Sequence, residues 1–148
     1  MKLKHLTTSA LALILIAGCG DDDGVGVEPD DIAGTWTATS VLFTSKADNT
    51  VTEDIVVDDV AELTLVLGSN GSYTFTFVFP PDPDETEIGT YTVSGSTITL
   101  TETGSGEPES FTVARDGDTM TLTDDDEMFE FVDGAGDEPA TLVITLTR

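Results

Sequence analysis

The sequence predicts an all-β fold, an up-and-down antiparallel β-barrel of eight or nine strands. Three observations predict it. Runs rich in Thr, Val, Ile, Leu and Phe alternate with period two, and no long stretch carries helical periodicity. Turn residues interrupt these runs every ~8–12 positions. Each run has one apolar and one Thr-rich face, so the sheet is wet on one side only and so many strands must curl shut or fold into two layers.

The first expected strand, 34–45, puts Trp36, Ala38, Ser40 and Leu42 on one face. Residues 46–59 form a longer connection with room for a lid, a short helix or an extra edge strand. In 60–68, Leu63, Leu65 and Leu67 share a face. Asn70-Gly71 then turns the chain, since both residues accept positive φ. Tyr73, Phe75, Phe77 and Phe79 share a face of 72–80, with Thr74 and Thr76 opposite. The strand 87–94 leads through Ser94-Gly95-Ser96 into 96–103, which turns Ile98 and Leu100 inward. Phe111 and Val113 mark 109–115, and Asp116-Gly117-Asp118 is the next hairpin turn. Met120 and Leu122 mark 118–124; Asp124-Asp125-Asp126-Glu127 reads as a tight turn into 127–133, which carries Phe129 and Phe131. In the last strand, 140–148, Leu142, Ile144, Leu146 and Arg148 share a face. The segment Gly95–Glu102 is echoed by Gly117–Asp124, as expected of a meander, but two copies are too few for a solenoid or propeller. A two-sheet, immunoglobulin-like sandwich is the alternative architecture.

Composition narrows the chemistry. Cys19 is the only cysteine and His5 the only histidine, both near the N-terminus. The rest of the chain lacks the residues for Ser-His-Asp or Cys-His catalysis and for most zinc, copper and iron sites. Paired carboxylates arise by chance among twenty-nine acids, so they carry no glycosidase signal. No enzyme activity and no cofactor are expected. The basic residues are Lys2, Lys4, Lys46, Arg115 and Arg148, a small set against those acids. Such a surface repels nucleic acid, which is excluded as a partner. The acidity fits a high-salt habitat, a cation-binding surface or plain solubility.

Lys2, Lys4 and His5 precede an apolar run from Leu6 to Ala17, and Ile16-Ala17-Gly18-Cys19 closes it. The run is too short for a membrane span, which needs ~20 residues. It resembles the signal and lipobox of bacterial lipoproteins. The resemblance implies a signal peptide over 1–18, cleavage before Cys19, and lipid on its thiol as a membrane anchor. Residues 19–31 then hold the lipidated cysteine and a flexible acidic tether, and 32–148 the folded domain. The expected location is the cell envelope outside the cytoplasm. The outer membrane is favoured, on its periplasmic face or at the cell surface, because Gly20 is not the inner-membrane retention aspartate and Asp21-Asp22-Asp23 resembles surface-export signals.

Gly34-Thr35-Trp36 opens the domain and Arg148 ends it. With the strand meander, these residues make 32–148 resemble the lipocalin-like (calycin) domains of bacterial lipoproteins. That resemblance implies a closing plug of Gly34, Trp36 and Arg148, the guanidinium packing over the indole. It also implies binding of a small apolar or amphipathic ligand. The candidate lining is Tyr73, Phe75, Phe77 and Phe79, with Phe111, Phe129 and Phe131, against the alternative that these rings fill the core. The other functional reading is an envelope structural or protein-interaction module with a filled barrel. Asp124–Glu127 and Asp82-Pro83-Asp84-Glu85 offer oxygen ligands for weak calcium binding, but neither has the EF-hand spacing; the reading kept is a solvated acidic loop, and no metal site is assigned.

Overall fold

A computed structural model describes residues 27–58, 61–132 and 134–148. The expected signal peptide, Cys19 and most of the expected tether lie outside these residues. The described residues form nine antiparallel strands: β1 (Gly34–Ser45), β2 (Thr52–Asp54), β3 (Glu62–Leu67), β4 (Ser72–Val78), β5 (Glu85–Ser94), β6 (Thr97–Glu102), β7 (Pro108–Asp116), β8 (Thr119–Phe129) and β9 (Glu138–Thr147). Two single-turn helices, α1 (Pro29–Ile32) and α2 (Ile55–Asp58), complete it. Consecutive strands from β3 to β9 pair in order, β1 pairs with β3, and β9 returns to pair with β1 from Thr147 opposite Thr37 to Ala140 opposite Ser45. That last pairing closes a barrel of eight strands, and the described strands all belong to one sheet. The ninth strand, β2, lies along the upper part of β1. Among the described residues, no helix is long and apolar enough to cross a membrane.

The alternation read from the sequence sets the interior. Trp36, Leu65, Ile98, Met120, Leu122 and Leu146 are fully buried, with Phe111, Val113 and Ile144 beside them. Burying each such side chain contributes about 1.5–3 kcal/mol. This apolar cluster runs through the barrel and holds it without a disulfide. The Thr-rich outer faces stay wet.

Two bulges change the expected pattern. The first falls at Thr39, between Ala38 and Ser40. An extra residue reverses the phase, so Val41, Phe43 and Ser45 continue the buried face and Leu42 does not, contrary to the strict alternation expected. Asp54 holds this bulge. Its Oδ2 accepts from Ser40 Oγ at 2.5 Å and its Oδ1 from Val41 N at 3.1 Å. The same Oδ1 accepts from Val56 N at 3.1 Å and Val57 N at 3.4 Å, which caps α2. Burial works against the Asp54 charge, but these hydrogen bonds outweigh it and hold the carboxyl below its ordinary range. The 46–59 connection therefore holds both an edge strand and a helical turn.

The second bulge lies between Asp124 and Glu127. The expected strands 118–124 and 127–133 are one strand, β8, and the acidic run is not a turn. Asp125 and Asp126 stand opposite the single Thr141 and face solvent, where Lys46 Nζ donates to the Asp125 carbonyl and lies 3.8 Å from Asp126. Asp124 and Glu127 both take the inward phase of Met120, Leu122 and Phe129.

The two ends of the barrel differ. At one, tight turns at 68–71, 95–96 and 117–118 meet α1. Trp36 Nε1 donates to the Ile32 carbonyl at 2.7 Å beneath it. Arg148 sits 4.7 Å from the Trp36 ring centroid, donates to the Ala33 carbonyl at 3.3 Å and lies 3.7 Å from Asp118. Gly34 adopts φ 144°, and a Cβ placed on it would lie 3.6 Å from Arg148 Nη1. The opposite end carries the longer connections 46–61, 79–84, 103–107 and 130–137. It forms the mouth.

Candidate functional site

The mouth has an aromatic wall and an acidic wall. On the aromatic side, Phe43 stacks on Phe129 with centroids 4.0 Å apart, and Phe131 meets Phe129 edge-on at 4.9 Å. Phe75, Phe77 and Phe79 run up β4 and beyond it, 4.6 and 6.4 Å between successive centroids. Phe77, Phe79 and Phe131 are only half-buried, whereas Phe75 and Phe111 are packed into the core. Of the rings singled out from the sequence, Phe77, Phe79, Phe129 and Phe131 thus reach the mouth. A cavity of about 210 Å³ lies on its rim, between the β1–β2 link and the 131–138 loop, lined by Val51, Phe131 and Val132 among others.

On the acidic side, Asp124 and Glu127 belong to the run that the sequence marks as an acidic loop, whereas Glu87, Glu102 and Glu109 are not marked by it. Glu87 on β5, Glu102 on β6, Glu109 on β7, and Asp124 and Glu127 on β8 all have the inward phase of their strands. The signal was available: Glu102 continues Ile98 and Leu100, Glu109 precedes Phe111 and Val113, and Asp124 follows Met120 and Leu122. Glu109, Asp124 and Glu127 bring one carboxylate oxygen each within 4.8 Å of one another. Burial, then the charges of Glu127, Glu87 and Asp124, push the Glu109 carboxyl up to about 7. Burial also raises Glu87, with Glu102 and Glu85 adding to it, and raises Glu127.

Tyr73 belongs to this wall rather than to the aromatic row. It stands opposite Gly89 on β5, and Gly89 stands opposite Glu102 on β6. A Cβ on Gly89 would lie 2.6 Å from Tyr73 Cε1 and 2.1 Å from the Thr101 carbonyl oxygen. The missing side chain lets the phenol lie across β5 toward β6 and β7. Burial first, then Glu87, Glu102 and Glu109, push the Tyr73 hydroxyl up to about 12. The basic side chains among the described residues are committed elsewhere: Lys46 to the outer bulge, Arg115 to Asp31 and the Gly117 carbonyl, Arg148 to the plug.

An aromatic wall facing an acidic wall can hold a molecule between them. Trp36, Arg148 and Gly34 form the floor, away from the mouth. Residues 32–125 match a family model for the lipocalin-like domain. No curated protein and no solved structure matches the chain. The family match spans most of the described strands and agrees with the closed eight-stranded barrel: the chain belongs to the lipocalin-like domain family.

Proposed function

We propose that this domain binds a small apolar or amphipathic molecule at the mouth of its barrel, without catalysis. Lipocalin-like domains are in general non-catalytic binding proteins, and a barrel closed at one end suits that role. The observation that carries the reading is the half-buried run Phe77, Phe79 and Phe131 at the end opposite the plug. Apolar rings left partly uncovered beside a packed core are where an apolar ligand gains most from leaving water. The Ile16–Cys19 stretch supports a bacterial lipoprotein, anchored in the envelope through lipid on Cys19, and Gly20 with Asp21-Asp22-Asp23 favours the outer membrane. The test is a panel of fatty acids, sterols, quinones and haem, followed by thermal shift and Trp36 emission. A binder is expected to raise Tm, and Phe77→Ser with Phe131→Ser is expected to abolish the rise. If no member of the panel moves either signal, the reading fails.

A second reading, an envelope module that contacts a protein partner, is favoured by the packed lower barrel, the Thr-rich outer faces and the acidic loops. A specific envelope protein recovered by the chain, and lost when loop acids become Asn or Gln, would support it.

A further inference from the structure

Two connections form the rim cavity, and each is fixed by its own hydrogen bonds. Ser45 Oγ, buried at the end of β1, accepts from Ala47 N at 3.2 Å and Asp48 N at 3.3 Å. Val51 N donates to the Asp48 carbonyl at 2.9 Å, and the Val51 carbonyl accepts from Ser45 N at 3.0 Å. On the other side, Glu130 Oε1 accepts from Gly134 N at 2.8 Å and Gly136 N at 3.1 Å, and Ala135 N donates to the Val132 carbonyl at 2.9 Å. Lys46 N ties the two sides together by donating to the Pro139 carbonyl at 2.9 Å. These bonds hold Val51 and Val132 at the surface, 39 % and 65 % exposed, beside the half-buried Phe131 ring. A groove organised before anything binds costs a partner less ordering.

Size and charge select the occupant. The cavity's volume of about 210 Å³ falls below the roughly 300–1,000 Å³ of sites that enclose a whole small molecule. It suits one large apolar side chain, as when an anchor residue of a protein partner enters a pocket. Asp48 and Glu138 stand in the lining. The Thr50 hydroxyl and amide hold the Asp48 carboxyl below the ordinary carboxylate range, so it keeps its charge. The Lys46 side chain is committed to the outer bulge, where its Nζ donates to the Asp125 carbonyl, and no basic side chain among the described residues lines the cavity. The formal charge of −24 repels a second copy of the chain. An apolar anchor flanked by basic residues meets both the size and the charge.

We propose that the rim cavity docks a basic segment of a partner protein. Its apolar side chain enters between Val51, Phe131 and Val132, and flanking lysines or arginines face Asp48 and Glu138. This rests on the protein-partner reading above and names its surface and the partner's chemistry.

The test uses the purified full chain and three synthetic peptides with blocked ends: Lys-Lys-Phe-Lys-Lys, Lys-Lys-Ser-Lys-Lys and Glu-Glu-Phe-Glu-Glu. Fluorescence anisotropy of labelled peptide gives the affinity, and methyl NMR spectra of the chain locate the contact. The first peptide is expected to bind at least about tenfold tighter than either of the others and to shift the Val51 and Val132 methyl signals. Val132→Ser is expected to weaken that binding at least about fivefold. Its side chain is mostly in water, so the fold survives the change, which thermal unfolding checks. Ile88→Ser, on the outer face of β5 and 55 % exposed, is expected to change nothing. Equal binding of the serine peptide, unchanged binding by Val132→Ser, or a Val132-dependent dimer of the chain without peptide overturns the proposal. A specific envelope protein recovered equally by the wild type and by Val132→Ser overturns it too, while the partner reading itself stands on another surface.

Discussion

Trp36→Ala is expected to destabilise the domain by about 3–5 kcal/mol and to lower Tm by roughly 15 °C. The indole is fully buried at the floor, between Leu65 on the neighbouring strand and the α1 turn. Its removal costs transfer free energy and leaves a cavity that the surrounding barrel, closed on itself, has little freedom to collapse. It also orphans the Ile32 carbonyl, which loses its 2.7 Å partner inside the fold. The guanidinium of Arg148 loses the ring beneath it. Trp36→Phe restores most of the volume but not the hydrogen bond, so it should fall between the alanine variant and the wild type. Arg148→Ala should cost less, about 0.5–2 kcal/mol, since that side chain is partly exposed and its cation–π contact is screened. Far-ultraviolet circular dichroism during heating checks all three, because Trp36 is the sole tryptophan and its emission disappears with it.

Stability is expected to fall as pH rises from about 5 to about 8, by on the order of 2–3 kcal/mol. Glu109 is the main cause. Its carboxyl releases a proton near 4.5 in the unfolded chain and at about 7 when folded. The folded pKa is the higher one, so between those values the folded state holds more protons than the unfolded state. The stability this group contributes is full below about 4.5 and lost as pH rises through about 7. The groups facing it all have the same sign or are neutral: Glu87 from β5, Asp124 and Glu127 from β8, and the Tyr73 phenol from β4. Glu87 and Glu127 are raised too and steepen the same trend. Glu109→Gln should flatten the curve and raise Tm at the alkaline end. Equal Tm values across that range, with and without the substitution, would mean that Glu109 is not held as described.

Most of the barrel was legible in the sequence because its signal is local. The period-two runs place Leu63, Leu65 and Leu67, then Ile98 and Leu100, then Leu142 through Leu146, on the faces where they are buried. The Gly-bearing hairpins at 95 and 117 need only short-range backbone chemistry. The bulges were not legible. A bulge is specified by what clamps it from elsewhere, and at Thr39 that is Asp54, which reaches across from β2 to the Ser40 hydroxyl and the Val41 amide. At Asp124–Glu127 the clue pointed the wrong way, since four consecutive acids look like a solvated turn. Here two of them face Lys46 and water, while the other two face the interior. The aromatic half of the mouth was visible as a row of rings on one parity. The acidic half was visible only to the same parity argument applied to charged residues, which are ordinarily placed outside. The Tyr73 direction depends on Gly89, which lies opposite it on the neighbouring strand β5 and outside the local sequence of β4.

The central claim is that β9 returns to β1 and closes the barrel, which creates both the floor and the mouth. Nuclear Overhauser contacts between backbone protons of β1 and β9 test it most directly. The account predicts cross-strand contacts linking Val41 with Ile144 and Phe43 with Leu142, alongside Trp36 with Leu65 on the other edge of β1. If the Trp36–Leu65 contacts appear while β1 and β9 show none, the sheet is open and neither end of the barrel exists.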